Sequence, residues 1–240
     1  ADGAWDAWAQ SYPAFWRGQG DTRHLAFAPL FGHQYSQMWI DFRGIRDETM
    51  RAAGFDYFEN SRRATYANRA YCIANPMHWD GYSRDIWGLT ACDGPGNFQL
   101  PFKGRTAEFF GYAARGPLGQ PDERDDGTIA PTAALGSLAF APEICIPAAN
   151  AMQRWPHLYG KYGFLDSFNP SFRYTDVKLE TGSVDPKSGW VARDYLGIDQ
   201  GAIAGAIANT RDEGVWRVMR RSPAIRRGLQ RAGFSGGWLG

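Results

Sequence analysis

The pattern of apolar and polar positions along the chain predicts a mainly helical protein. The clearest helix is predicted over residues 57–75, where Asp56 can cap its amino terminus and Pro76 must end it. A short helix is expected within residues 1–30, and the only strand pattern predicts a hairpin around residues 98–112. Further helices are predicted over residues 30–40, 46–53, 129–137, 141–154, 199–210, 212–220 and 223–231.

The helix predicted over 57–75 has one face that changes character along its length. Glu59 and Arg62 lie at its charged end, and Ile73 lies at its apolar end. Such a face suits a helix that begins at a polar cavity and ends in a core. Glu59 stands three residues after Asp56, which also fits a capping box.

Two long segments carry many glycines and prolines, residues 77–127 and residues 155–195. Segments of this length without regular structure are usually functional loops in compact domains. The acidic run over 121–128 is interpreted as a solvated loop, because it lacks the spacing of a calcium-binding loop.

Composition narrows the possible functions of the 240 residues, which we treat as a single domain. A net charge of +1 favours neither nucleic acid nor an anionic membrane as a partner. An aromatic content of 15% fits a carbohydrate-binding protein, although large rings also build cores. The three cysteines are widely spaced and predict buried thiols. No transmembrane run, signal peptide, metal motif or cofactor motif is visible.

The stretch from 33 to 76 combines acids, arginines and aromatic rings at unusual density. Carboxylates and guanidinium groups bind sugar hydroxyls, and aromatic rings pack against the apolar faces of pyranoses. This composition therefore predicts a sugar-binding site.

Several blocks resemble the bacterial glucoamylase-like domain family, which includes endo-β-1,2-glucanases and the transglycosylating domain of cyclic β-1,2-glucan synthases. The blocks include HQYSQMWIDFRGIRD, YFENSRRATYANRAYCIANP, DDGTIAPTAA, FAPEICIPA and YLGIDQGAI. The resemblance implies an (α/α) toroid, with this chain as its C-terminal part and an N-terminal remainder as its partner. No cofactor is expected. The location is left open, and a periplasmic or secreted location is favoured over a cytoplasmic one.

Cleavage of a glycosidic bond requires two carboxyl groups. The resemblance aligns Glu59 with a nucleophile-like carboxylate and Glu143 with the general acid. Each also has a structural interpretation, because a helix dipole favours glutamate in the first turn. An acid at that position would need burial that outweighs the dipole. The other predicted site residues are Asp41, Arg63, Trp39, Trp87, Asp93 and Asp199, with Asp47 as a further alternative acid.

The sequence thus predicts a glycoside hydrolase that acts on β-glucan, with β-1,2 linkages expected from the resemblance. A transglycosylase of the same fold is the nearest alternative. A non-catalytic glucan-binding module and a scaffold without sugar affinity belong to different classes, and they would show no turnover.

Overall fold

The computed structural model describes residue 7, residues 9–119 and residues 124–240. The short helix expected within residues 1–30 lies largely outside the described residues, as do positions 121–123 of the acidic run. Mainly helical architecture is confirmed. In the described part the α-helices are α1 (Tyr35–Trp39), α2 (Glu48–Ala53), α3 (Tyr57–Ala74), α4 (Pro131–Leu135), α5 (Pro142–Gln153), α6 (Gly197–Asp212), α7 (Gly214–Met219) and α8 (Pro223–Arg231).

Short strands are more numerous than the pattern predicts. The expected hairpin is present, with Phe98–Phe102 paired to Arg105–Phe109, and a three-stranded antiparallel sheet of Ser183–Asp185, Gly189–Val191 and Phe168–Asn169 was not anticipated. These strands are two to five residues long, which is too short for an alternating pattern to emerge. They are β1 (Trp16–Arg17), β2 (His24–Leu25), β3 (Ala91–Cys92), β4 (Phe98–Phe102), β5 (Arg105–Phe109), β6 (Ala113–Ala114), β7 (Tyr159–Gly160), β8 (Gly163–Phe164), β9 (Phe168–Asn169), β10 (Ser183–Asp185) and β11 (Gly189–Val191).

The long helix α3 buries a polar face. The Asn68 side chain accepts a hydrogen bond from the Leu89 amide and donates one to the Leu89 carbonyl, at 3.0 and 2.9 Å. Asn60 holds the backbone of Leu25 in the same two-sided way. Ile73, predicted to lie in a core, is exposed instead. The helix therefore stabilises neighbouring extended segments through hydrogen bonds, because buried polar groups need partners.

A buried ion pair holds together the glycine-rich segment between α3 and α4. Arg115 and Asp126 are completely buried, and their side chains are 2.8 Å apart at the closest nitrogen and oxygen. The same guanidinium donates to the carbonyl of Cys92 at 2.7 Å. Asp125 accepts hydrogen bonds from two tyrosine hydroxyls. The prediction of a solvated loop is therefore wrong at positions 125 and 126.

The main hydrophobic core lies between α3, α4, α5 and the strands, and it is rich in aromatic rings such as Trp87, Trp190 and Phe168. All three cysteines are buried free thiols, as predicted. Burial raises the pKa of each thiol well above its usual range, so these cysteines are unreactive. Within the described residues, no helix is both long and apolar enough to span a membrane.

Candidate active site

A cleft of about 80 Å³ opens where the amino terminus of α6 meets β3, α4 and the loop before β9. Two carboxyl groups face it, together with the ring of Phe31 and the exposed ring of Tyr112. Clefts that combine apolar walls with a few polar groups are the usual sites for small ligands. Its lining residues are Phe31, Gln34, Ala91, Cys92, Tyr112, Thr132, Asp166, Leu196, Ile198, Asp199 and Ala202.

The two carboxyl groups in the cleft belong to Asp166 and Asp199, which are 2% and 8% exposed. The two side chains are close enough for each carboxyl group to change the pKa of the other. The Asp93 amide donates to Asp166 Oδ2 at 2.8 Å, and the Ser167 hydroxyl lies 3.1 Å from the same oxygen. Among the described residues no N–H or O–H group donates to Asp166 Oδ1 or Asp199 Oδ2.

The surroundings of the pair decide which carboxyl holds the proton. Burial, followed by repulsion from Asp166, raises the pKa of Asp199 to about 8. Burial also raises the pKa of Asp166, but its hydrogen bonds from the Asp93 amide and Ser167 oppose that rise. Asp199 is therefore the protonated partner at neutral pH. A carboxyl group that is held protonated at neutral pH is suited to the role of a general acid.

Glu143 lies outside this cleft, in the first turn of α5. Its Oε1 atom is 2.7 Å from Arg62 Nη2, and it also accepts a hydrogen bond from the Tyr66 hydroxyl. Desolvation raises the pKa of Glu143, but the hydrogen bonds from Tyr66 and Arg62 outweigh it and lower the pKa overall. Nearly half of its side chain is exposed. Glu143 thus lacks the burial that a general acid would need here, and its charged form suits a base or nucleophile.

Glu59 makes a separate ion pair on the surface of α3. Its carboxylate is 2.7 Å from Arg63 Nε, and that guanidinium also donates to the Arg23 carbonyl and stacks over Phe55. Arg63, predicted to face the site, is therefore engaged with neighbouring protein groups. Arg62 is the arginine that pairs with Glu143, and Glu59 lies within electrostatic reach of it.

The other predicted residues are distributed over three environments. Asp41 is buried and paired with Arg43 and Arg220, as the buried-pair interpretation predicts. Trp39 is exposed on α1 and available for contacts. Trp87 is completely buried, which differs from the predicted stacking role because neither ring face is accessible to a sugar.

Asp166 is the site residue that sequence reasoning did not single out. It lies between Leu165 and Ser167 in the block GFLDSFNP, and an aspartate in such an apolar context is a signal for an inward carboxyl. Tyr112 also lines the cleft, and it was not predicted because it lies in the irregular glycine-rich segment. Across the described residues, no cluster of three or more His, Cys, Asp or Glu side chains could hold a metal ion.

A mainly helical chain with a cleft of paired carboxyl groups and aromatic walls has the features of a carbohydrate-active protein. Residues 1–223 match the family described as "Putative glucoamylase". The match extends over most of the chain, so the protein belongs to this family.

Several relatives support and sharpen this membership. An exo β-1,2-glucooligosaccharide sophorohydrolase from Parabacteroides distasonis is 30% identical over 205 residues, which are 85% of this chain and 23% of that protein. The endo-β-1,2-glucanase of Chitinophaga pinensis, solved with sophorotriose and glucose, superposes with a TM-score of 0.71 at 30% identity. A glucoamylase-family protein from Bacteroides fragilis superposes with a TM-score of 0.73 at 32% identity.

The matches cover nearly all of this chain but only part of each relative. Each of the two superpositions covers 97% of this chain, but only 49% of the Chitinophaga protein and 48% of the Bacteroides protein. The chain therefore spans about half the length of these solved relatives, and less than that of the sophorohydrolase.

Proposed function

We propose that this chain is part of a glycoside hydrolase that acts on β-1,2-glucan. Family membership and the β-1,2-glucan-acting relatives support the substrate class. The observation that carries the reaction class is the buried carboxyl group of Asp199, which has Asp166 as its neighbour in a cleft that has aromatic walls. Hydrolysis of a glycosidic bond needs one carboxylic acid and one carboxylate.

In this proposal Asp199 donates its proton to the glycosidic oxygen as the bond to the anomeric carbon breaks. The leaving sugar departs with the new hydroxyl group, and water supplies the oxygen that replaces it on the anomeric carbon. A carboxylate either removes a proton from that water or attacks the anomeric carbon first. Asp199 is suited to the donor role because its raised pKa keeps the proton available near neutral pH.

The ionised partner has two candidate positions, Glu143 and Glu59. Glu143 is held ionised by Arg62 and Tyr66, and Glu59 is a candidate through the family resemblance. Asp166 lies too close to Asp199 for a glycosidic bond to fit between them, and its role in the proposal is to keep the proton on Asp199. A nucleophile is expected about 5–5.5 Å from the acid and a water-activating base about 6.5–9.5 Å from it, so the anomeric form of the product discriminates between these roles.

We also propose that the chain forms part of an (α/α) toroid, that it is a single domain, and that the protein is periplasmic or secreted.

A non-catalytic glucan-binding module is the second candidate, and one observation favours it. The chain spans about half of its solved relatives, so groups outside it could be needed for turnover. A transglycosylase would use the same carboxyl groups with a sugar hydroxyl in place of water.

The test is incubation with β-1,2-glucan and with β-1,3- and β-1,4-glucans, with products followed by mass and by anomeric NMR. The proposal expects cleavage of β-1,2-glucan, and it expects Asp199→Asn to reduce the rate about 10²–10⁴-fold. Binding without cleavage would support the module, and transfer products would support the transglycosylase. An Asp199→Asn variant with a normal rate would exclude Asp199 as the proton donor.

A further inference from the structure

Two tyrosines on segments next to the cleft have exposed aromatic rings. Tyr162 lies at the turn between β7 and β8 and is 64% exposed, and Tyr195 precedes α6 and is 37% exposed. Their ring centroids are 5.4 Å apart and their planes are perpendicular. We call these two residues the tyrosine pair.

The tyrosine pair is attached to the segments that carry both carboxyl groups. The Asp166 amide donates to the carbonyl of Asp194, the residue before Tyr195, at 3.1 Å. The Gln200 side chain, next to Asp199 on α6, donates to the Phe164 carbonyl of the hairpin at 2.7 Å. Leu196, which follows Tyr195, lines the cleft itself. The tyrosine pair therefore lies on segments that also form the cleft.

The exposed rings are not explained by packing of the core. Within the described residues, neither hydroxyl of the tyrosine pair has a hydrogen-bond partner, and Tyr162 contacts mainly the Tyr195 ring and the Lys161 ammonium group. Clustered exposed aromatic side chains commonly mark a binding surface. A tyrosine ring offers an apolar face for a pyranose, and its hydroxyl can bond to a sugar hydroxyl.

We propose that the tyrosine pair is a sugar subsite that binds a glucosyl unit of a β-1,2-linked oligosaccharide whose neighbouring units occupy the cleft. This inference rests on the proposed function, because the cleft must hold the rest of the glucan chain. Because the two ring planes are perpendicular, a sugar bound between them would contact the face of one ring and the edge of the other. The pair should therefore contribute to the affinity for longer oligosaccharides and not to that for the disaccharide.

The test is calorimetric titration of the 240-residue chain with β-1,2-linked di-, tri- and pentasaccharides. Tyr162→Ala is expected to weaken pentasaccharide binding roughly 2- to 10-fold, the range of an ordinary aromatic contact, and to leave disaccharide binding unchanged. Tyr162→Phe is the matched control, because it keeps the ring and should retain most of the affinity. Tyr195→Ala and Tyr195→Phe provide the same comparison on the second ring. Melting temperatures should not change for the highly exposed position 162.

The possible outcomes distinguish failure of the tyrosine subsite from failure of the proposed function. Pentasaccharide binding that is equal in the wild type and in both alanine variants overturns the tyrosine pair as a subsite and leaves the cleft proposal standing. Length-dependent binding that the alanine variants lose, in a chain that cleaves no glucan, supports the subsite and contradicts the hydrolase. Absence of binding by the wild-type chain to any of the three ligands overturns the subsite as well as the assignment of the cleft.

Discussion

Asp199 and Glu143 are both acids in the first turn of a helix, yet their surroundings give them opposite properties. A helix amino terminus favours the charged form of each. At Asp199 burial and the neighbouring Asp166 overcome that preference, whereas at Glu143 the groups of Arg62 and Tyr66 reinforce it. The position in a helix is therefore a weaker guide to protonation than the partners that surround the carboxyl group.

The raised pKa of Asp199 predicts how turnover depends on pH. A proton donor must be protonated in the free enzyme, so kcat/KM should fall as the pH rises through about 8. The pH profile of β-1,2-glucan cleavage measures this limb. An alkaline limb near pH 4 or 5 would mean that the donor has an ordinary carboxyl pKa and is not Asp199.

The same group predicts a pH dependence of the free energy of unfolding. Between about pH 4 and pH 8 the folded chain holds a proton on Asp199 that the unfolded chain has released. Stability should therefore fall as the pH rises through this window, with a slope of at most about 1.4 kcal/mol per pH unit from this group. Above about pH 8 this contribution levels off.

Asp199→Asn should remove this pH dependence. The melting temperature of the variant should therefore rise relative to that of the wild type as the pH increases from 5 to 8. Asp212→Asn is the matched control on the same helix, because Asp212 is exposed and forms an ion pair with Arg211 on the surface. If the melting temperatures of the wild type and of Asp199→Asn change in parallel over this pH range, the carboxyl pair does not share a proton.

Glu143→Gln tests whether the Arg62 pair serves catalysis or only the surface of α5. The fold should survive, because exposed ion pairs contribute about 0–1 kcal/mol. If Glu143 acts as the base or nucleophile, turnover should drop at least about 100-fold while oligosaccharide binding persists. A variant that keeps more than a tenth of the wild-type rate would remove Glu143 from the site and leave Glu59 as the candidate for the ionised partner.

At the scale of elements, the buried pair of Arg115 and Asp126 is the main organiser of the glycine-rich segment. The guanidinium also donates to the carbonyls of Cys92, Phe110 and Gly111, so a single side chain joins several turns. This segment carries Tyr112, which lines the cleft. The geometry of the cleft wall therefore depends on a residue that does not touch the cleft.

Asp126→Asn should lower the free energy of unfolding by about 3–5 kcal/mol, because it leaves a buried guanidinium without its counter-charge. Asp80→Asn is the control on the same stretch of chain. Its ion pair with Lys103 is partly exposed and should contribute at most about 1 kcal/mol. Chemical denaturation of both variants measures the difference. Equal losses would show that the buried pair has no special structural role.

At the scale of the whole molecule, α6 is apolar on every side over residues 201–208, GAIAGAIA, although part of that surface is exposed. Ile207 is 46% exposed there. Helices that are apolar all round are normally buried. Because solved relatives are about twice as long, we propose that residues outside this chain cover the exposed side of α6.

The isolated chain should then associate at high concentration, and Ile207→Glu should raise the monomer fraction in sedimentation velocity. Ile73→Glu is the control, because Ile73 is similarly exposed but lies on α3, outside the apolar run of α6. A wild-type chain that stays monomeric and cooperatively folded at high concentration would contradict the proposal.

The sequence by itself determined those features that depend on residues close together in the chain. Asp56 accepts a hydrogen bond from the Glu59 amide and begins α3, and α8 spans Pro223–Arg231 as the pattern predicts. The β4–β5 hairpin was predictable for the same reason. Caps and turns act over three or four residues, so their physics is contained in a short window.

Only the tertiary structure decided which side chains meet and which are buried. Asp166 and Asp199 come from separate segments, and no local pattern pairs them. The choice of Arg62 rather than Arg63 as the partner of Glu143, and the burial of Trp87, depend on how α3 and α5 pack. Protonation follows from this packing, because desolvation and neighbouring charges act through space and not along the chain.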